Sequence, residues 1–307
     1  MDFELNEQQR AIVEAAEQIL ARHAGAARAI EIDAQREADD ALESALEEAG
    51  FLDVALGDET GFLEAALLTE AVSRSGGCIA IGARSLVAPG LLGRSVPGPV
   101  SIADAGLAGP VRFAAQARTL LLDTGEEARM VALEPGEVEA VRSNFMFPMG
   151  RLSVDRDRGE GLGPGSGDRL RAWWRLSLAA EAVGAMRAAL EVTVAYVKGR
   201  RQFGRAIGSF QAVQHRLAQC AVRVEASRWL VYETADRGAP AAAAAATAAY
   251  VTDAAEKVHA ETHQLTGAMG FTREHDLHVW SMRLQALRLE AGGVAGHRIA
   301  AARERWS

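Results

Sequence analysis

The sequence predicts a helix–sheet–helix chain: an α-helical first part, a small β part, and a C-terminal bundle of at least four helices. Two observations carry this. Apolar residues recur at helical spacing up to about Gly93 and again from Leu170. Between about Pro99 and Asp168 they fall instead into short runs broken by Gly, Asp and Pro. At 307 residues, 49% apolar and 24% charged, the chain suffices for one large domain or two to three modules sharing a core.

The elements follow in order. In NEQQRAIVEAAEQILARHA the apolar positions Ile12, Val13, Ala16, Ile19 and Leu20 define one helix face, and Asn6 with Gln9 three residues later forms a capping pair. A second helix covers Asp40–Ala49 and stops at Gly50; a third runs from about Phe62 to Val72 and stops near Gly76 and Gly77. RFAAQARTLLLDTG, ARMVALEPG and GRLSVDRDRG read as strands, and GEGLGPGSGDR, from Gly159, reads as a loop. A helix then spans about Trp174 to Val197. Another begins near Ser209, with Phe210, Val213, Leu217, Cys220, Val224 and Leu230 on one side. Pro240 opens an alanine-rich helix to about Leu265, and a last one lies around Leu277–Ala291, with more helix possible to Arg303.

Composition excludes several classes. The 33 basic and 41 acidic side chains leave a net charge of −8 with no basic block, which argues against nucleic-acid binding. Cys78 and Cys220 are too few for a disulfide framework and lack metal-ligand spacing, so free buried thiols in a reducing, cytoplasmic compartment are expected. The start MDFELNEQQR has no basic stretch followed by an apolar one, and no window holds eighteen strongly apolar residues; neither a signal peptide nor a membrane span is expected.

Unaided residue chemistry is sparse. No HExxH, CxxC, Walker A or GxGxxG is present, and no metal site is expected, since Glu261 between His259 and His263 is misplaced for a zinc hydrolase. Arg200, Arg201 and Arg205 either pair with phosphates or offset a helix dipole at the surface. Gly267 and Gly270 beside Gln264 suggest close approach of backbone to a ligand or to another helix. Trp173 and Trp174 read as helix packing or an interface, and Met146, Phe147 and Met149 as β-part core.

The string YVKGRRQFGRAIGSFQAVQHRLA, Tyr196 to Ala218, resembles the acyl-CoA dehydrogenase signature: Tyr196, Arg200, Gln202-Phe203-Gly204, then Phe210-Gln211-Ala212-Val213-Gln214. HQLTGAMGFTREHDLH resembles the family's Gln-x-x-Gly-Gly-x-Gly segment, with Ala268 in place of the second glycine. The resemblance implies an N-terminal α-helical domain (1–95), a reduced middle β domain (96–168) and a C-terminal four-helix bundle (169–307). It implies FAD as cofactor and an acyl-CoA thioester as substrate. It also implies cofactor contacts from Arg200, Gln202, Phe203, Gln211, Gln214, Gln264, Gly267 and Gly270, reaching the FAD of a neighbouring subunit.

The chemistry so implied is α,β-dehydrogenation, in which a carboxylate removes the α proton while the β hydrogen leaves as hydride to the flavin. The family position for that carboxylate matches Ala291, with Glu290 one residue earlier; the other family position falls at TADRGAP, where Arg237 precedes Gly238 and Asp236 is nearby. The chain is roughly 70 residues shorter than common members, and the Trp-Ile-Thr stretch that covers the flavin is missing. Three readings follow: one subunit of a heteromeric dehydrogenase, a self-sufficient homo-oligomer with Glu290 as base, or a non-enzymatic acyl-binding member. From the displaced base and the short β part, the chain expressed alone is expected to bind FAD weakly and to oxidise acyl-CoA poorly. Its visible spectrum and its mass in solution check this.

Overall fold

The computed structural model describes residues 4–306. The first part holds α1 (Glu7–His23), α2 (Ala26–Gln35), α3 (Asp40–Glu48), α4 (Phe62–Arg74) and α5 (Ala88–Leu92), the last entered through a π-helical stretch, Ala83–Val87. The expected Asn6 capping pair is present: the Asn6 side chain accepts from the Gln9 amide, and the Gln9 side chain accepts from the Asn6 amide. Strands β1 (Val100–Asp104), β2 (Val111–Arg112), β3 (Thr119–Asp123), β4 (Glu127–Ala132), β5 (Val138–Val141), β6 (Met149–Leu152) and β7 (Glu160–Pro164) make up the middle part. Then come α6 (Ser166–Gly199), the short hairpin β8 (Arg201–Gln202) and β9 (Arg205–Ala206), α7 (Gln211–Asp236), α8 (Ala241–Thr266), α9 (Leu277–Leu287) and α10 (Gly293–Trp306). The order is helices, sheet, helical bundle, as the sequence predicts.

The strands form two sheets. In one, β1 pairs parallel with β3, and β4 and β7 follow antiparallel; in the other, β2, β6 and β5 are antiparallel. Alternation along β3 feeds two cores. Leu121 enters the main core shared with the helices, while Leu120 and Leu122 enter a smaller cluster with Ala114, Val131 and Leu152. Both faces of this strand are covered, which is why it reads as a continuous apolar run.

Two expectations are corrected here. The segment from Gly159 is not a loop: Glu160–Pro164 is the edge strand β7 on β4, and α6 already begins at Ser166. Its glycines serve two ends: Gly159, Gly163 and Gly165 take positive φ, while Gly161 and Gly167 stand where the chain packs closely. A Cβ on Gly161 would meet Glu127 Oε1 at 2.6 Å, and one on Gly167 would press into the Gly125–Glu126 backbone. The helix expected over Leu277–Ala291 ends at Leu287, and further on Ala291, Gly292 and Gly293, all of positive φ (50°, 86° and 65°), turn the chain into α10.

Small side chains set the bundle. α6 crosses α4 at Gly184, where any Cβ would strike the Glu70 carbonyl and the Arg74 amide nitrogen, and Ser73 Oγ donates to the Glu181 carbonyl at 2.6 Å. Beside this crossing the buried Glu70 carboxylate is held by Arg187 of α6, by Arg228 Nε of α7 at 3.1 Å and by the Tyr232 hydroxyl at 2.5 Å. Gly184→Val is expected to destabilise the fold by about 3 kcal/mol through overpacking. Gly199→Ala, where an added Cβ meets nothing, should be near neutral. Denaturant titration of the two variants checks the difference.

Candidate functional site

A cavity of about 790 Å³ opens where the β part meets the bundle. Its wall includes Ile102 of β1, Arg112 of β2, Met149 of β6, Trp174 of α6, Met282 of α9, and Glu290 to Gly292 of the turn before α10. The expectation for the tryptophans divides. Trp173 is packing, its ring 4.3 Å from Phe62 and pressed over Gly90. Trp174 is a cavity residue, and so is Met149, whereas Met146 and Phe147 are core.

Glu290 lies in the turn after α9 rather than on the helix. Its Oε1 accepts from Arg112 Nε at 2.7 Å, and its Oε2 accepts from Trp174 Nε1 at 3.1 Å. The remaining side of the Arg112 guanidinium meets the carboxylate of Glu181 with both Nη groups. Trp174 and Glu181 are seven residues apart, so two helical turns place them on one face of α6. A Cβ on Gly82 would fall 2.6 Å from Glu181 Oε1, so the glycine makes room for that carboxylate. Burial opposes the Arg112 charge, yet Glu181 and Glu290 together outweigh it and hold the guanidinium well above its ordinary range. Burial pushes the Glu181 carboxyl up, against the pull of Arg112. A second buried cation, Arg283, donates to the Met146 and Gly77 carbonyls; it and Arg112 both stack on Phe147, their guanidinium carbons 4.9 and 4.8 Å from the ring centroid.

Of the expected positions for a base, only Glu290 with Ala291 reaches this cavity. Ala291 lines it but carries no acid, and Asp236 and Arg237 sit exposed at the end of α7, outside its wall. Arg112 and Glu181 escaped the sequence reading. One signal was available for Glu181: it is the single charge in the apolar run Leu176–Met186.

The predicted cofactor residues lie elsewhere. Arg200, Gln202, Phe203, Gln211, Gln214, Gln264 and Gly267 are exposed, on the β8–β9 hairpin, the start of α7 and the end of α8. Arg200 follows Trp174 by 26 residues along α6, which at 1.5 Å per residue is about 40 Å. The structure therefore gathers the motif at one end of the bundle, apart from Glu290. Arg205 stacks on Phe210 at 4.0 Å, and among the described residues neither Arg200 nor Arg201 forms an ion pair. Gly270 is buried, with Thr266 and Leu277 where a Cβ would go; Ala268 is exposed, so its methyl meets no such obstacle.

A model of the acyl-CoA dehydrogenase C-terminal domain matches residues 171–304. A chain of the ChsE4–ChsE5 complex from Mycobacterium tuberculosis shares the fold with a TM-score of 0.82 over 99% of both chains, at 23% identity. Residues 171–304 carry an acyl-CoA dehydrogenase C-terminal domain. Butyryl-CoA dehydrogenase from Megasphaera elsdenii also has this fold, with a TM-score of 0.82 over 100% of both chains at 19% identity. Acyl-CoA dehydrogenase IpdE2 of Mycobacterium tuberculosis is 43% identical over 106 residues, 34% of this chain and 33% of that one. Acyl-CoA dehydrogenase FadE34 of the same organism is 32% identical over 227 residues, 72% of this chain and 29% of that one. The matched stretches span about a third of these relatives' length.

Beside the family's glutamine segment, His259 and His263 stack at 4.4 Å, and neither His263 nitrogen has a hydrogen-bond partner. Among the described residues no group of three His, Cys, Asp or Glu is placed to hold a metal. Burial lowers both histidines, His259 to about 4. Their unfolded value is about 6.5, so the folded state binds fewer protons and the chain should lose stability as pH falls from about 6.5 toward 4. Melting temperatures across that range should drop, and His259→Leu should make the drop shallower.

Proposed function

We propose that this chain is one subunit of a flavin-dependent acyl-CoA dehydrogenase that oxidises the α,β bond of an acyl-CoA thioester. FAD would lie between it and a second acyl-CoA dehydrogenase-like subunit. The observation that carries this is the rise of about 40 Å along α6 from Trp174, which holds the Glu290 carboxylate, to the phosphate-type donors at Arg200. One chain offers the donors to a neighbour and its cavity to the flavin ring and acyl group. The donor set suits the group: unpaired guanidinium groups for a diphosphate, exposed glutamine amides, and an apolar-walled cavity. Bound FAD would supply the acceptor for the β hydrogen, which leaves as hydride. Glu290 takes the α proton, and the apolar wall excludes water from the carbanion side. Two buried free thiols suit a reducing, cytoplasmic compartment, and among the described residues no helix is long and apolar enough to cross a membrane.

A homomeric assembly is the second reading, favoured by the arrival of Glu290 at the cavity despite its displacement in sequence. Coexpression with the product of a neighbouring gene separates the two. The heteromeric reading expects flavin and acyl-CoA oxidation to appear in the mixed complex; a lone homomer with about one flavin per chain, bleached by acyl-CoA, establishes the second reading. In the active assembly Glu290→Gln should lower turnover by about 10²–10⁴-fold. Unchanged turnover would place the base in the partner.

A further inference from the structure

Glu290 has no regular element to hold it. It precedes three successive residues of positive φ, and its carboxylate orientation is set by what it touches. Those contacts come from two other parts of the chain, β2 and α6. The Arg112 guanidinium is met on both Nη groups by Glu181, which fixes it independently of Glu290. The Nε–H, on the edge of the guanidinium away from that pair, donates to Glu290 at 2.7 Å. Glu181 is itself fixed: it rises from the middle of α6, 5% exposed at its side chain, in the space left by Gly82.

We propose that Arg112 is a positioning residue that aims the Glu290 carboxylate at the cavity, with Glu181 anchoring Arg112 from behind. Two donors at fixed places, Arg112 Nε and Trp174 Nε1, take one carboxylate oxygen each and so define both its position and its plane. A glutamate one residue from the usual family position is thereby brought to the cavity by a side-chain clamp rather than by helix register. The consequence for catalysis rests on the function proposed above; the clamp itself does not.

Trp174 makes the clamp observable without turnover. The chain has five tryptophans, so its indole N–H signals in a ¹⁵N-labelled sample form a small set, and Trp174→Phe identifies the one that reports on Glu290. Glu290→Gln fixes where that signal goes when the charged acceptor is removed. Arg112→Gln should move it more than half of that way, Arg112→Lys less, and the signals of the other four tryptophans should stay in place as a check on the fold. If Arg112→Gln does not fold, Glu181→Gln gives the same readout, with a shift in the same direction. A Trp174 signal at its wild-type position in a folded Arg112→Gln or Glu181→Gln protein would overturn the proposal. In the active assembly Arg112→Gln should lower kcat by about a hundredfold with KM little changed, and Arg112→Lys should recover part of it; a raised KM with full kcat would also overturn it. A wild-type assembly that oxidises no acyl-CoA removes the proposed function, and the Trp174 signal alone then decides the clamp.

Discussion

The molecule is organised around a single helix that is buried on nearly every side. At 34 residues α6 is about 51 Å long, and it packs against α4, α7, α8, α9 and the β part. A helix so enclosed has no continuous polar stripe; its apolar residues run all round, and small ones sit wherever a neighbour crosses. Gly184 and the alanines about it let α4 approach to backbone contact. Two charged groups on its buried faces meet a partner from another element. Glu181 meets Arg112, and Arg187 meets Glu70. The site is thus a product of the packing, since the carboxylate that anchors Arg112 is held in position by the same helix that carries Trp174.

Much of the helical architecture was legible because burial on one face imprints a 3.6-residue period, as in Ile12 to Leu20, and because caps and stops at Asn6, Gly50 and Pro240 have local physical causes. The strand β7 was not. Its residues Glu160–Pro164 carry no apolar alternation, and their pairing with β4 is a property of the backbone. Of the glycines that suggested a loop, Gly161 and Gly167 make room for the Glu127 side chain and the Gly125–Glu126 backbone, which lie over thirty residues earlier.

The site was legible in halves. The Arg200 to Gln214 and Gln264 to Gly270 segments announced themselves by motif, and their exposure at one end of the bundle needed the fold. Glu290 was found by proximity to Ala291, while the reason it reaches the cavity was hidden. That reason depends on Arg112 and Glu181, which are 69 residues apart in sequence and belong to no motif. A long-range ion pair leaves no periodic mark in either segment; only the isolation of Glu181 within an apolar run hints that something charged must come to meet it.

The buried Glu70 has a consequence for how the chain is made. Its partners Arg187, Arg228 and Tyr232 follow it by 117 to 162 residues. At about 5–20 residues per second of synthesis, the last of them leaves the ribosome roughly 8–32 s after Glu70 does. Throughout that interval α4 presents a carboxylate destined for the interior and an apolar face with no helix to cover it. The native packing of the N-terminal helices is thus completed only when α6 and α7 have been made.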